Sequence, residues 1–347
     1  MAAQYHFRNL VFEGGGVKGV AYVGALGELR RRGVLDGIER VAGTSAGAIN
    51  AVLFATGHSQ RETTEILLEL DFRRFLDDSW GLVRDTRRLV RSFGWYAGDF
   101  FRRWIGRQIK ARTGNPDTTF RALRDLGRPD LYLVGTNLST GFSEVMSAEH
   151  TPDMAVADAV RVSMSIPLFF AAVRDRRKDV LVDGGVLRNY PVKIFDREHY
   201  IAAAERARHA RSTEYYARDN AVRVAGTSPY CYNRETLGFR LDAREEIALF
   251  RDGRQPQAEK IGDFFDYGSA LIRALLNVQN NMHLHSDDWQ RTIYIDTLGI
   301  GATDFSLSNR MKRKLLRAGA DGVSNYFDWY DDPDESPLPC NHPRSRR

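Results

Sequence analysis

An α/β fold, with strands alternating with helices around a largely parallel sheet, is predicted by three features of the 347-residue chain. Short apolar runs end in glycine-rich turns, apolar helical stretches begin directly after those turns, and this order recurs along the first half of the chain. The first strand is Leu10-Val11-Phe12, followed by Gly14-Gly15-Gly16 and a helix from Val17 through Arg31 with apolar Val20, Val23, Ala25, Leu26 and Leu29. Ile38 to Ala42 reads as the second strand, Gly43-Thr44-Ser45-Ala46-Gly47 as a sharp turn, and Ala46 to Ala55 as an apolar helix. Leu131 to Asn137 is a buried strand that turns at Ser139-Thr140-Gly141 into Phe142 to Met146. A helix from Met154 to Met164 follows, ending near Pro167, and Val180-Leu181-Val182 is the strand before Asp183-Gly184-Gly185.

Past residue 195 the pattern weakens. Residues 196–262 are polar and arginine-rich and read as the helices and loops of a surface elaboration. Gly262 to Met282 reads as a helix whose Phe264, Phe265, Leu271, Ile272, Leu275, Leu276 and Val278 form a broad apolar face, and Thr292 to Asp296 as a late strand. Met311 to Arg317 opens a basic amphipathic segment running toward Tyr326 and Trp329, expected to close the core as a C-terminal helix in preference to lying on a membrane. The organisation expected is one catalytic domain over 1–330, with core motifs in 8–195 and helical elaborations over about 60–125 and 196–290. The Asp-, Pro- and Arg-rich stretch 331–347 is expected to be a disordered tail.

The chemistry concentrates in the turns. A serine in G-x-S-x-G fits a strand-to-helix elbow that pushes its hydroxyl outward, and Gly43 and Gly47 leave room for the strained backbone at Ser45. Gly14, Gly15 and Gly16, with Lys18 and Gly19 beyond them, expose backbone N–H groups between a strand and a helix, an arrangement suited to an oxyanion. Gly15 and Gly16 are the leading donors. A nucleotide-phosphate loop is disfavoured, because G-x-x-x-x-G-K-[ST] is absent. Asp183 stands where a strand ends and a loop begins, and His199, His209, His283, His285 and His342 follow it in the Ser, Asp, His order of an α/β-hydrolase. The proton acceptor of Ser45 is therefore either Asp183 or one of those histidines.

Taken in order, G-G-G-x-K-G at 14–19, G-T-S-A-G at 43–47 and D-G-G at 183–185 make the chain resemble the patatin-like phospholipases. Val162 to Pro167 resembles that family's serine- and proline-containing segment, and Asn189-Tyr190-Pro191-Val192 its N-x-P stretch. The resemblance is strong over about residues 8–195. It implies a three-layer α/β/α fold with a mostly parallel central sheet, a catalytic dyad of Ser45 and Asp183 without histidine, Gly14, Gly15 and Gly16 as the oxyanion hole, and Gly184 and Gly185 as motif support. It also implies a phospholipase A or lysophospholipase activity on membrane lipids. A free aspartate is a weak base at neutral pH, so desolvation would have to raise its basicity. Two alternatives stay open: a histidine-dependent esterase or thioesterase, and a non-catalytic lipid-binding scaffold.

Composition narrows the partners. The net charge is +5 and 43% of residues are hydrophobic, ordinary for a globular chain. Two cysteines, Cys231 and Cys340, lie far apart and outside metal-ligand spacing, so neither a disulfide framework nor a metal is expected, and no cofactor. Arg84, Arg87, Arg88, Arg91, Arg102, Arg103, Arg107, Lys110 and Arg112 alternate with Trp80, Phe93, Trp95, Tyr96, Phe100, Phe101 and Trp104. That region reads equally as a membrane-docking lid or as a helical cap with a solvated arginine face. No nucleic-acid motif is visible, and a nucleic-acid partner is not expected. Lys18 and the arginines near the entrance are candidate contacts for a lipid phosphate. The segment Met1 to Arg8 leaves no room for a secretory h-region, which predicts a cytoplasmic protein, peripheral at a membrane or exported without a signal. An activating protein or small molecule is a further expectation from the family, and the excess of arginine over lysine hints at a bacterial source.

Overall fold

A computed structural model describes residues 5–76, 88–242, 260–264, 266–268, 270, 271, 274, 275, 279 and 287–334. The strands are β1 (Asn9–Phe12), β2 (Arg40–Thr44), β3 (Gly94–Tyr96), β4 (Asp130–Asn137), β5 (Phe142–Ser147), β6 (Leu168–Phe170), β7 (Val173–Arg174), β8 (Val180–Asp183), β9 (Ala210–Arg211), β10 (Tyr232–Asn233), β11 (Thr236–Asp242) and β12 (Thr292–Asp296). Five of them, in the spatial order β12-β11-β1-β2-β4, run parallel as the centre of an eight-stranded sheet. β5 and β8 pair with β4 antiparallel, and β7 extends β8. The two pairs β3–β6 and β9–β10 stand apart from this sheet.

Register along β4 decides where the chemistry falls. β5 occupies one edge of β4 from Tyr132 to Asn137, so β2 and β8 must share the opposite edge. β2 fills its first half, ending with Thr44 opposite Val134. β8 arrives from the other direction and ends with Asp183 opposite Gly135. Two strands thus finish head to head beside neighbouring residues of a third, and a β-carbon on Gly184 would lie 3.0 Å from Thr44 Cγ2.

Side chains alternate across the sheet as the pleat requires. Leu10, Phe12, Val41, Leu131 and Leu133 enter the larger core, whereas Val11, Ala42 and Tyr132 enter a smaller one with Tyr190, Val192, Phe195 and Tyr200. The larger core is covered by helices α1 (Ala21–Arg31), α2 (Ala46–Ala55) and α3 (Gln60–Glu69) and by the C-terminal helix Asn309–Asp331. α1 and the C-terminal helix touch backbone to backbone: a β-carbon on Gly319 would lie 3.0 Å from Ala25 N. Short helical turns over 185–200 cover the other face, giving the expected mixed, mostly parallel sheet with helices on both sides.

The C-terminal helix buries Leu315, Val323, Tyr326 and Phe327, as a core-closing helix should. Its Lys312 ammonium donates to the carbonyls of Leu67, Leu68 and Leu70 at 3.3, 2.8 and 2.6 Å, capping the C-terminal end of α3. In the basic region, the helix Asp99–Thr113 buries Phe101, Trp104, Ile105 and Ile109 and turns Arg102 out to Asp117 and Asp158, which is cap packing. Trp80, Arg84 and Arg87 lie outside the described residues.

One sequence expectation is corrected. Residues 196–262 contain β11, every residue of which is buried between β1 and β12, in a stretch read as surface helix and loop. T-L-G-F-R-L-D hides its strand character because Arg240 and Asp242 are buried as partners 2.8 Å apart. Of the apolar face expected over 262–282, the described Phe264, Leu271 and Leu275 are exposed, as is Tyr267; Phe265, Ile272, Leu276 and Val278 lie outside the described residues. The tail from 335 onward also lies outside them, while Asp331 still ends the C-terminal helix.

Candidate active site

Ser45 is held at φ 52° and ψ −124°, the left-handed backbone expected of a nucleophile elbow, between the end of β2 and the first turn of α2. Close approach explains the flanking glycines: a β-carbon on Gly47 would lie 2.5 Å from Phe12 O and 2.6 Å from Glu13 O, and one on Gly43 would be 2.5 Å from Gly47 C. Gly19 likewise has Ala46 Cβ 2.9 Å from where its own β-carbon would be. The Ser45 amide donates to Ser163 Oγ at 2.9 Å, and Ser163 Oγ donates in turn to Val134 O at 2.7 Å. One buried hydroxyl therefore ties the strained turn to the strand on which both site segments converge. The Ser45 hydroxyl itself lies 3.7 Å from Met164 Sδ.

Asp183 is 4% exposed and closes β8, with its amide donating to Ser165 O at 2.9 Å. Its Oδ1 accepts from the Gly185 amide at 2.7 Å, and its Oδ2 has no hydrogen-bond partner among the described residues. Burial pushes its pKa up to about 7, opposed by the Gly185 N–H and by the Ser45 hydroxyl, which favour the charged form. The hydroxyl is thus close enough to act on the carboxyl without closing a hydrogen bond on Oδ2. The register of β2 and β8 against β4 brings these two residues together from 138 positions apart in the chain.

The glycine loop lies against this pair. A β-carbon on Gly14 would sit 3.1 Å from Ser45 Cβ. Gly14, expected among the oxyanion donors, is corrected: its N–H donates to Asn189 O at 3.0 Å. The N–H groups of Gly15 and Gly16 have no partner among the described residues. Lys18 is also corrected. Its Nζ donates to Leu241 O at 3.1 Å, turned toward the end of β11 and not out as a phosphate contact.

Three contributors fall outside the motifs. Glu13 is buried beneath the loop, accepting from Leu241 N at 2.8 Å and Asn189 Nδ2 at 3.2 Å, and burial pushes it up to about 7 despite Arg240 nearby. Gln279 Nε2 donates to Gly185 O and Val186 O at 2.9 and 3.1 Å, while its Oε1 accepts from Asn189 N at 2.8 Å. It stitches the D-G-G and N-x-P segments together from a stretch with no local sequence signal. Arg240, 1% exposed, sets Nη2 2.8 Å from Asp242 Oδ2 but at angles outside hydrogen-bond geometry.

The described histidines stand elsewhere. His6 and His209 stack on each other at 4.5 Å, His58 Nδ1 pairs with Thr56 Oγ1, His150 Nδ1 with Ser147 Oγ, and the His199 ring lies on Tyr200. Among the described residues none hydrogen-bonds to Ser45 or Asp183; His283, His285 and His342 lie outside them. No group of three or more described His, Cys, Asp or Glu side chains is arranged to hold a metal ion. Among the described residues no helix is long and apolar enough to cross a membrane.

Comparison with known proteins bears on the family and the fold. The patatin-like phospholipase family model matches residues 10–196, more than half of the chain. The uncharacterized protein YqhO of Bacillus subtilis is 29% identical over 89% of this chain and 94% of its own length. The cGAMP-activated phospholipase of Escherichia coli is 27% identical over 54% of each chain, and the uncharacterized protein R571 of Acanthamoeba polyphaga mimivirus 33% identical over 56% of this chain and 63% of its own. The crystal structure of VipD from Legionella pneumophila superposes with a TM-score of 0.56 at 18% identity, covering 93% of this chain and 67% of that one, which shows a shared fold. The chain belongs to the patatin-like phospholipase family.

Proposed function

We propose that the protein is a lipid acyl hydrolase of phospholipase A or lysophospholipase type, with Ser45 as nucleophile and Asp183 as its general base. The observation that carries this reading is the state of Asp183: a buried carboxyl with pKa near 7 and an Oδ2 without a hydrogen-bond partner among the described residues, next to a serine in an elbow conformation. A base of that pKa is half ionised at neutral pH and still strong enough to take a proton. In the mechanism, Asp183 Oδ2 accepts the Ser45 hydroxyl proton as Oγ attacks the ester carbonyl. The oxyanion of the tetrahedral intermediate takes hydrogen bonds from the N–H groups of Gly15 and Gly16, and the N-terminal end of α2 adds favourable potential. Collapse expels the lysolipid or glycerol alcohol, which leaves with the proton held by Asp183. Water, deprotonated by the same carboxylate, then attacks acyl-Ser45, and the Ser45 oxygen leaves with the proton returned by Asp183 as the fatty acid is freed.

We take residues 1–330 as one catalytic unit, because β11 and β12 complete the sheet beside β1. The exposed Phe264, Tyr267, Leu271 and Leu275 support peripheral contact with a lipid surface. A relative named as cGAMP-activated motivates an activator arm in the test.

The test gives wild type, Ser45→Ala and Asp183→Ala labelled phospholipid vesicles and a soluble acyl ester, with and without cell lysate. Both variants are expected to release no fatty acid, and a fluorophosphonate is expected to label wild type at Ser45. Normal turnover by Asp183→Ala would return the base role to a histidine. Failure of wild type on every ester, with no labelling at Ser45, would leave the lipid-binding scaffold.

A further inference from the structure

We infer that Asn189 is a positioning residue for catalysis: its side chain fixes the plane of the Gly14–Gly15 peptide and so aims the Gly15 N–H at the oxyanion beside Ser45. The inference rests on the Ser45 reading above and adds to it a residue with no contact to the reacting atoms.

Both polar groups of Gly14 are held by Asn189. The Gly14 N–H donates to Asn189 O at 3.0 Å, and the Gly14 carbonyl accepts from Asn189 Nδ2 at 3.1 Å. The described backbone contains no cis peptide bonds, so the Gly15 N–H points opposite the Gly14 carbonyl. Pinning that carbonyl toward Asn189 turns the Gly15 N–H away from it, and Gly15 N has no partner among the described residues. The peptide is beside the nucleophile, since the Cβ position of Gly14 is 3.1 Å from Ser45 Cβ.

The amide of Asn189 is itself fixed from three sides. Glu13 Oε1 accepts from Nδ2 at 3.2 Å, Oδ1 occupies the space a β-carbon on Gly14 would need, and the backbone N–H donates to Gln279 Oε1 at 2.8 Å. Glycine has the widest conformational freedom of any residue, so a peptide between two glycines has no preferred plane of its own. Asn189 supplies that preference before substrate arrives, which is the condition for an effective oxyanion donor.

Asn189→Asp replaces the Nδ2 donor with an oxygen facing two acceptors, and Asn189→Ala removes the donor; neither alters the backbone bonds of residue 189. For both variants kcat is expected to fall roughly 100-fold with KM near the wild-type value, the loss typical of one misaligned oxyanion donor. The affinity of a trifluoromethyl ketone, which forms a tetrahedral adduct on the serine, should fall in parallel with kcat/KM across the series. Activity is normalised to sites titrated by fluorophosphonate, and melting temperatures are read alongside, so that lost folding is separated from lost alignment. If Asn189→Asp does not fold, Asn189→Ala decides. Turnover per titrated site close to wild type, or a fall in kcat with unchanged ketone affinity, overturns the inference. Ser45→Ala separates the two levels: if it remains active the nucleophile reading fails, whereas an inactive Ser45→Ala beside an active Asn189→Ala removes only the role of Asn189.

Discussion

Two aspartates, Asp183 and Asp196, are buried to nearly the same degree and are treated in opposite ways. Asp196 is surrounded by donors: Arg291 grips it with two bonds of 2.6 and 2.8 Å, Tyr216 donates through its hydroxyl, and the Asn233 amide adds a bond of 3.2 Å. Arg291 also bonds Asp288 at 2.7 Å, which makes an ion cluster joining two segments that are distant in the chain. Asp183 has one backbone donor, no cation within hydrogen-bond or ion-pair reach among the described residues, and an Oδ2 left open. A saturated carboxylate holds structure in place and has no unused basicity. An undersupplied one costs stability, and that cost appears as a raised pKa, the property a general base needs.

The largest effects that break this contrast are on activity. Asp183→Asn should lower kcat/KM by roughly 10²–10⁴-fold, the range for loss of a general base, whereas Arg291→Met should leave turnover per titrated Ser45 site close to wild type. Stability should move the other way. Arg291→Met strands two buried carboxylates and should cost about 3–5 kcal/mol in denaturant unfolding. Asp183→Asn should stabilise, and increasingly so as pH rises. The folded-state pKa of Asp183, about 7, lies above its ordinary value of 3.8. Across that window the folded protein keeps a proton that the unfolded chain has lost, so the Asp183 contribution to stability declines as pH rises from about 4 to about 7. By pH 8 the asparagine variant should be ahead by an amount on the order of a few kcal/mol, and near pH 4 by almost nothing. The same titration predicts that wild-type kcat/KM rises with pH through an inflection near 7, and a profile flat between pH 5 and 9 would refute Asp183 as the base. The smallest effect tests the elbow. Ser45→Gly relieves a left-handed backbone and should stabilise by about 1 kcal/mol while abolishing acylation, measured by thermal unfolding beside fluorophosphonate labelling.

Much of this site was legible because its parts are local. A serine between glycines after an apolar run, and three glycines between a strand and a helix, are backbone requirements, and backbone requirements leave residue-type signatures at fixed spacing. The alternation of apolar strands and helices up to residue 195 was legible for a similar reason, since each element buries a face whose period the sequence shows. β11 was not, because its buried Arg240 and Asp242 look like surface until their partners are known. Gln279 was equally silent: a glutamine outside every motif bonds two motif loops only once the fold has brought them together.

By itself the sequence determined the turns, the candidate nucleophile and the family, because those depend on what one or a few adjacent residues can do. The tertiary structure alone decided that β2 and β8 end head to head on β4 and that, among the described residues, Gly14 N–H has a partner while Gly15 N–H has none and Asp183 is buried without a cation. Register and burial are properties of segments meeting in space. The basicity of a carboxyl follows from that company, which no reading along the chain supplies.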